Sequence, residues 1–293
     1  MTKEKIFFVI NRKSGRGRAR NILESLLKLN FPFPIVEVDK ESPRETIEFL
    51  ERNLRSEDIV VAIGGDGLFN LVCQIVAKRG SKLWVWPAGT GNDFSSLHFP
   101  NLKNQKTLTS VLSKGNFKEI DIGEVEFENS YRFFGQVLSA GFDSKVNARA
   151  NKFKILKSSL KYTVATILEI FKFQPIEYKL LVDGMPRRLR AMTVVIANGS
   201  TYGGGMKIVP NANPNDSFLD LLILHPVSKL ELLKVFPKIF KGGHISHPAI
   251  EITRIKEIEI DSEAPVYADG EFFGFGSCAI RVSSNKLKLL THE

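Results

Sequence analysis

Asp58-Ile-Val-Val-Ala-Ile63 runs straight into Gly64-Gly65-Asp66-Gly67. A β-branched apolar run that stops on glycines predicts a buried strand opening onto a tight loop. Cys73, Ile75 and Val76 follow at helical spacing, so a helix is predicted to begin near Phe69. A strand, a glycine loop and a helix N-terminus together form a phosphate cradle, because backbone N–H groups and the helix end both face the anion. Asp66 is the odd member: a carboxylate there repels phosphate unless a metal ion stands between them. The combination points to a Mg-nucleotide site.

The chain has 293 residues, enough for two domains, with 43% hydrophobic and 25% charged residues, ordinary values for a globular enzyme. Its two cysteines, Cys73 and Cys278, have no partner motif, which argues against a disulfide framework and for a reducing compartment. The apolar stretch Ile6–Ile10 is too short for a signal sequence and reads as a first strand. No window reaches the ~18 uncharged apolar residues of a transmembrane helix. The net charge of +9 suits nucleic acid, anionic lipid or nucleotide phosphate, or serves solubility alone.

Strands are predicted at 5–10, 34–38, 58–63 and 82–86, with helices near 18–29, 43–54 and 68–78; the short connections suit a parallel sheet. Beyond residue 121 the pattern becomes short strand-like runs, at 125–127, 131–138, 178–182, 188–197, 219–224, 257–260 and 279–282. Asp183-Gly184 is a hairpin candidate there. Helices are expected near 154–173 and at 228–241, the second ending at Gly242-Gly243. The expected architecture is α/β with two domains and a cleft between them. The first is an α/β nucleotide-binding domain over 1–121, completed by 285–293. The second is a β-sandwich-like domain over 122–284 with one or two helices.

Five segments place glycine beside a carboxylate, amide or hydroxyl: Asn11-Arg-Lys-Ser-Gly15, Gly64–Gly67, Pro87-Ala-Gly-Thr-Gly-Asn-Asp93, Asn198-Gly…Gly203-Gly-Gly205, and Asp269-Gly-Glu271. Each alone is an ordinary turn signal. In a parallel sheet, Asn11, Gly64 and Pro87 all fall at the carboxyl ends of strands, where ligands bind. Neither standard nucleotide fingerprint occurs, since Gly15-Arg-Gly-Arg-Ala-Arg20 lacks the third glycine and no G-x-x-x-x-G-K-[ST] is present.

Gly64–Gly67 with Asn70, the Pro87–Asp93 run and Asp269-Gly-Glu271 resemble the diacylglycerol kinase catalytic family, in particular its bacterial lipid kinases. Asn11-x-x-Ser14-Gly15, Asp121-x-Gly123, Gly141-Phe-Asp143 and the Asn198–Gly205 segment follow in the family's order. NAD kinases share the G-G-D-G element, but the Pro-x-Gly-Thr-x-Asn-Asp run favours the lipid branch.

The resemblance implies that ATP phosphates rest on Gly64, Gly65, Asp66, Gly67 and Leu68, and that Thr90 contacts the nucleotide. Asn11, Lys13, Ser14, Gly15, Asn70, Asn92, Asp93 and Glu271 complete the implied cofactor-binding set. It also implies that Asp269 is the general base acting on a lipid hydroxyl, and that a structural Mg²⁺ lies at Asn213, Asp216 and Phe218. Asp66 suits Mg²⁺ bound to phosphate, because hard oxygen ligands match that ion. Arg12 and Lys13 could neutralise phosphate charge. Three positions depart from the pattern: Leu68 stands where the family has threonine, Asp39 where a nucleotide-contacting threonine is usual, and Ser217 where glycine follows the metal aspartate. Losing one hydrogen bond to a charged group costs about 1.5–3 kcal/mol.

The partners expected are therefore ATP and a lipid at the membrane surface, with no nucleic acid. The enzyme is expected in the cytoplasm with peripheral membrane association. Lys152–Lys157 and Leu160–Phe173 form a basic amphipathic stretch that could rest on anionic lipid or pack on the β domain; Arg149 and Lys152 could instead meet phosphate. The five histidines show no metal-ligand spacing. Dimerisation through an exposed edge strand stays open. Two other functions fit the same residues: an NAD kinase-like enzyme, and a non-catalytic module that binds nucleotide or lipid.

Overall fold

The computed structural model describes residues 4–11, 17–31, 33–99, 105–128, 130–150, 164–166, 168–170, 172 and 174–291, together with Phe173 at the end of the last helical stretch. Arg12, Lys13, Ser14, Gly15 and residues 151–163, which include Lys152 and most of the expected amphipathic stretch, lie outside the described residues, as does the side chain of Asp143. The chain divides into two compact units, Met1–Asp121 with Ser284–Glu293, and Ile122–Ser283.

In the first unit, β1 (Ile6–Ile10), β2 (Ile35–Val38), β3 (Ile59–Gly64) and β4 (Lys82–Pro87) alternate with α1 (Arg18–Leu26), α2 (Pro43–Asn53) and α3 (Asp66–Arg79). Their order is β2-β1-β3-β4, all parallel, and Lys288 and Leu289 of the last strand extend it beside Lys82 and Leu83. Every residue of β1 and β3 is buried, as expected for parallel strands covered on both faces. Asp58 fixes the entry to β3, its carboxylate accepting the Lys5 and Arg55 backbone N–H groups at 2.9 Å each. Two short helices escape the sequence pattern, α4 (Asp93–His98) and α5 (Gln105–Lys114).

The second unit is a sandwich of antiparallel strands with helices on one outer face. One sheet runs β12-β11-β10-β7-β14-β15, using Ile250–Ile255, Leu219–Leu224, Thr193–Ala197, Val137–Gly141, Pro265–Ala268 and Glu271–Phe275. The facing strands are β5 (Phe117–Phe127), β6 (Ser130–Phe134), β8 (Ile176–Val182), β9 (Met185–Ala191), β13 (Glu257–Asp261) and the start of β16 (Cys278–Leu290). Leu138, Val194, Leu221 and Val266 meet Tyr178, Leu180, Ile258 and Ile280 in the core between them. The outer face of the six-stranded sheet is covered by α6 (Phe142–Ala150), the helical residues 164–166, 168–170 and 172, and α7 (Lys229–Val235), packed as a second apolar cluster.

Two expected strands are each a pair. The run 131–138 breaks at Gly135-Gln136 into β6, which pairs with β5, and β7, which pairs with β10 and β14. The run 188–197 breaks at Met192 into β9 and β10, again in different sheets. In both cases the chain crosses from one sheet to the other without a polar loop, so apolar content stays continuous where direction changes. Among the described residues no helix is long and apolar enough to cross a membrane.

Candidate active site

Register places the three glycine segments of the first unit on one edge. Ile10 pairs with Ile63 and Gly64 with Pro87, so Asn11, Gly65 and Ala88 leave the carboxyl ends of adjacent strands side by side. The helix after β3 starts at Asp66, three residues before the position expected from apolar spacing. Gly65 is its N-cap and offers no side chain, which leaves the first turn open to an anion. The second loop closes over it. Ala88 N–H donates to the Gly64 carbonyl at 2.8 Å, and Gly65 and Gly89 meet backbone to backbone.

Asn92 builds that second loop. It sits at φ 58, accepts the Gly89 N–H through Oδ1 at 2.9 Å, and returns a bond from Nδ2 to the Gly89 carbonyl at 3.0 Å. Asp66 and Asp93 turn toward the same loop: a Cβ on Gly91 would stand 2.5 Å from Asp66 Oδ2 and 3.6 Å from Asp93 Oδ2. The Phe94 N–H points at Asp66 Oδ1, 3.4 Å away. Two carboxylates and two glycine loops at a helix N-terminus suit a cation-bridged phosphate. Thr90 is exposed on the loop, and Asn70 is buried one turn into α3.

Leu68 does not line the loop with its side chain. It is 7% exposed and packs back on β3, so that a Cβ on Gly64 would lie 2.6 Å from Leu68 Cδ2. Only its backbone N–H belongs to the turn, donating to the Gly65 carbonyl at 3.0 Å. A threonine hydroxyl is thus replaced here by a core contact.

Asp269 and Glu271 belong to the second unit. Asp269-Gly270 is the two-residue turn between β14 and β15, with φ 50 and 82 and Ala268 paired to Glu271. Positive φ at both central residues defines a type I′ hairpin, which favours Asp-Gly for local reasons alone. Asp183-Gly184, between β8 and β9, repeats it with φ 46 and 80. What separates them is burial. Asp183 is exposed and accepts the Lys256 and Glu257 N–H groups.

Asp269 is 8% exposed, and its carboxylate accepts N–H groups from Gly135 at 2.8 Å, Gln136 at 2.9 Å and Val137 at 3.1 Å. It thereby holds the point where the chain passes from β6 to β7. Asn198 clamps the same point, donating from Nδ2 to the Gly135 carbonyl at 2.8 Å, while Asn198 and Gly199 N–H groups donate to the Gln136 carbonyl.

Two residues here carry no sequence signal beyond an interruption in an apolar run. Gln136 is buried, and neither atom of its side-chain amide has a hydrogen-bond partner among the described residues. Arg132 stacks over the Phe273 ring at 3.7 Å and donates to the Phe272 carbonyl at 3.0 Å. Burial holds its pKa below the ordinary arginine value, against the opposing pull of Glu271 and Asp269.

The turn at Asn213, Asp216 and Phe218 is already occupied by protein groups. Asp216 pairs with the Arg254 guanidinium through Oδ2 and accepts the Phe218 N–H at 3.1 Å through Oδ1. Asn213 Oδ1 accepts the Asn215 N–H at 3.2 Å. Ser217 takes φ 60, the left-handed conformation that glycine adopts without strain.

Parallel strands whose carboxyl edge carries two glycine loops, one of them opening a helix, are the arrangement by which α/β proteins hold phosphate groups. Residues 5–125 match the model of the diacylglycerol kinase catalytic domain. Residues 136–291 match that of the YegS C-terminal NAD kinase beta sandwich-like domain. The chain belongs to the diacylglycerol kinase catalytic-domain family.

A diacylglycerol kinase of Mycobacterium tuberculosis is 34% identical over 221 residues, 74% of this chain and 72% of that protein. One from Staphylococcus aureus is 25% identical over 299 residues, 94% of this chain and 91% of its own. The solved structure of a diacylglycerol kinase from Bacillus anthracis has the same fold, with a TM-score of 0.72 at 18% identity over 100% of this chain and 98% of that one.

Proposed function

We propose that this chain is an ATP- and Mg²⁺-dependent lipid kinase that transfers the γ-phosphoryl group of ATP to the hydroxyl of a diacylglycerol-like lipid. The observation that carries the reading is the double glycine loop, Gly64–Gly67 against Gly89–Asp93, at the open N-terminus of α3. Its backbone N–H groups receive phosphate oxygens, and Asn11 and Thr90 stand at its border. In this reading Lys13, Ser14 and Gly15 also bind the nucleotide, and Arg12 and Lys13 neutralise phosphate charge.

Mg²⁺ fits Asp66, with Asp93 beside it, since hard carboxylate oxygens face the loop that would hold phosphate. Bound there with nucleotide, the ion would neutralise charge on the transferring group. The Asn213, Asp216 and Phe218 turn fits a divalent ion poorly as it stands, because Arg254 already supplies the positive charge that Asp216 takes.

Asp269 is the proposed general base. Three amide donors orient its carboxylate, and a positioned base contributes about 10²–10⁴ in rate. Glu271 and Arg132 lie next to it in this assignment. The enzyme works in the cytoplasm and meets its acceptor at the membrane surface.

Transfer of labelled phosphate from ATP to a panel of diacylglycerol, ceramide, sphingosine and phosphatidylglycerol tests the reading. Lipid product that disappears in Asp269→Asn and in Asp66→Asn supports it. Product from NAD in place of lipid would favour the NAD kinase-like alternative, which the description of the matching C-terminal domain keeps in view. ATP or vesicle binding without any turnover would favour the non-catalytic module.

A further inference from the structure

The second unit carries a cationic and apolar face that the site described above does not use. Residues 229–241 are α7 followed directly by a 3-10 turn, Phe236–Lys241. Leu232 and Val235 are buried, and Leu233, Phe236 and Ile239 pack into the same outer cluster. The opposite side shows solvent Leu230, Lys234, Lys238, Phe240 and Lys241, spaced as successive turns require. Leu230 is 71% exposed and Phe240 48%, far more than such side chains usually are on a helix with an apolar cluster beneath it. Lys207 joins them, because its backbone N–H donates to the Ile239 carbonyl and its side chain is exposed.

The charge is one-sided. Between Ser228 and Lys241 there are four lysines and a single carboxylate, Glu231. That carboxylate is turned back on Ser228 by a capping box, accepting the Ser228 N–H at 2.9 Å and its hydroxyl at 2.8 Å. Among the described residues Lys207, Lys234, Lys238 and Lys241 enter no ion pair. Protruding Leu and Phe side chains flanked by Lys207, Lys234, Lys238 and Lys241 complement a surface that is anionic outside and hydrocarbon within. A nucleic acid would use the lysines and leave Leu230 without a partner.

We infer that the Lys229–Lys241 face is a membrane-docking surface that binds the headgroup layer of an anionic bilayer, with Leu230 and Phe240 inserted. The surface and its binding stand on these residues; its use, delivering the enzyme to its acceptor, rests on the lipid kinase reading.

Cosedimentation of the full chain with phosphatidylcholine vesicles, with and without phosphatidylglycerol, tests the inference. Binding is expected only to the anionic vesicles and should weaken as salt rises. Lys234→Glu with Lys238→Glu should lower the partition coefficient by about tenfold or more. Leu230→Ser with Phe240→Ser should lower it by about tenfold. Phe240→Trp should be quenched by brominated lipid.

Equal binding to neutral vesicles, binding unchanged in both double variants, or retention on a polyanion such as heparin without any vesicle binding would each overturn the inference. Turnover of a short-chain, water-soluble diacylglycerol separates the two proposals. With docking lost and the kinase intact, the double variants keep wild-type rates on it. If the wild type turns over neither lipid while vesicle binding follows the expected pattern, the kinase reading falls and the docking surface stands.

Discussion

Gly65 and Gly89 touch through their backbones: a Cβ on Gly89 would lie 2.5 Å from the Gly65 Cα, and one on Gly65 would lie 3.0 Å from the Gly89 Cα. No flexible side chain is present to yield at this contact, so the two loops keep their spacing only while both positions lack a side chain. Gly89→Ala must push the second loop off the first, at a cost of about 1–3 kcal/mol. We expect an ATP KM raised by about tenfold, with a smaller loss of Tm, measured by initial rates and thermal unfolding. An unchanged KM would mean that the nucleotide does not depend on loop spacing.

Leu68→Thr introduces the residue that the family resemblance leads one to expect, yet the side chain at 68 faces β3 and not the loop. Removing buried methyl groups and adding a hydroxyl there should cost about 2 kcal/mol. ATP KM should stay as it is. A tighter KM in the variant would show that the side chain at 68 reaches the phosphate after all.

Asp269→Asn keeps the left-handed backbone, since asparagine tolerates positive φ nearly as well as aspartate. It loses the charge that three N–H donors face, and its amide nitrogen meets a donor where an acceptor stood. Turnover should fall by about 10²-fold or more, and stability by about 1–3 kcal/mol. Asp183→Asn, in the twin turn, should leave turnover at the wild-type value. Equal turnover losses in both variants would assign the effect to hairpin geometry and not to a base.

His98 makes stability fall in acid. Burial, reinforced by the positive charge of Lys118, brings its pKa down to about 3 from the ordinary 6.5, and Nε2 has no hydrogen-bond partner among the described residues. The unfolded chain takes up a proton near pH 6.5 and the folded chain does not. Its contribution is therefore complete above pH 6.5 and is lost as pH falls toward 3, at up to about 1.4 kcal/mol per pH unit. His98→Phe, which keeps the tilted ring contact with Phe94, should flatten denaturant midpoints between pH 6 and 4. A slope identical to wild type would place the acid sensitivity elsewhere.

Mg²⁺ should not change the Tm of the wild-type chain through the Asp216 turn, because Arg254 holds that carboxylate. Arg254→Ala removes the competitor. If Asn213, Asp216 and the Phe218 carbonyl can then bind the ion, Tm becomes Mg²⁺-dependent in the variant alone. A Mg²⁺-dependent shift in the wild type that Asp216→Ala abolishes would reinstate the site.

The first unit was legible because buried parallel strands are unbroken apolar runs, and β3 and β4 end on Gly64 and Pro87 while β1 gives way to the polar Asn11. The start of α3 was displaced because apolar spacing registers only at Phe69, whereas the helix opens on Gly65 and Asp66, which bury no apolar side chain. Leu68 reads as a lost hydroxyl in the sequence because a motif gives position but not direction. The clamp on Gly135–Val137 was out of reach for another reason. Phe133 and Phe134 on one side and Val137 and Leu138 on the other leave only Gly135-Gln136 to mark a change of sheet, and Asp269 lies more than 130 residues away. An Asp-Gly pair announces its own turn and nothing of what its carboxylate will reach.

The final strand has a bearing on the order in which the protein can be made. The parallel sheet of the first unit is completed by Lys288 and Leu289, so every residue of the second unit leaves the ribosome before β4 gains that neighbour. Until then Lys82 and Leu83 of β4 have no strand partner on that side, an open edge of the kind that recruits foreign strands. A nascent chain halted after Asp121 should therefore self-associate, and a peptide of residues 284–293 added in trans should suppress it. Lys288 and Leu289 act, in this sense, as a built-in guard for the sheet of the first unit.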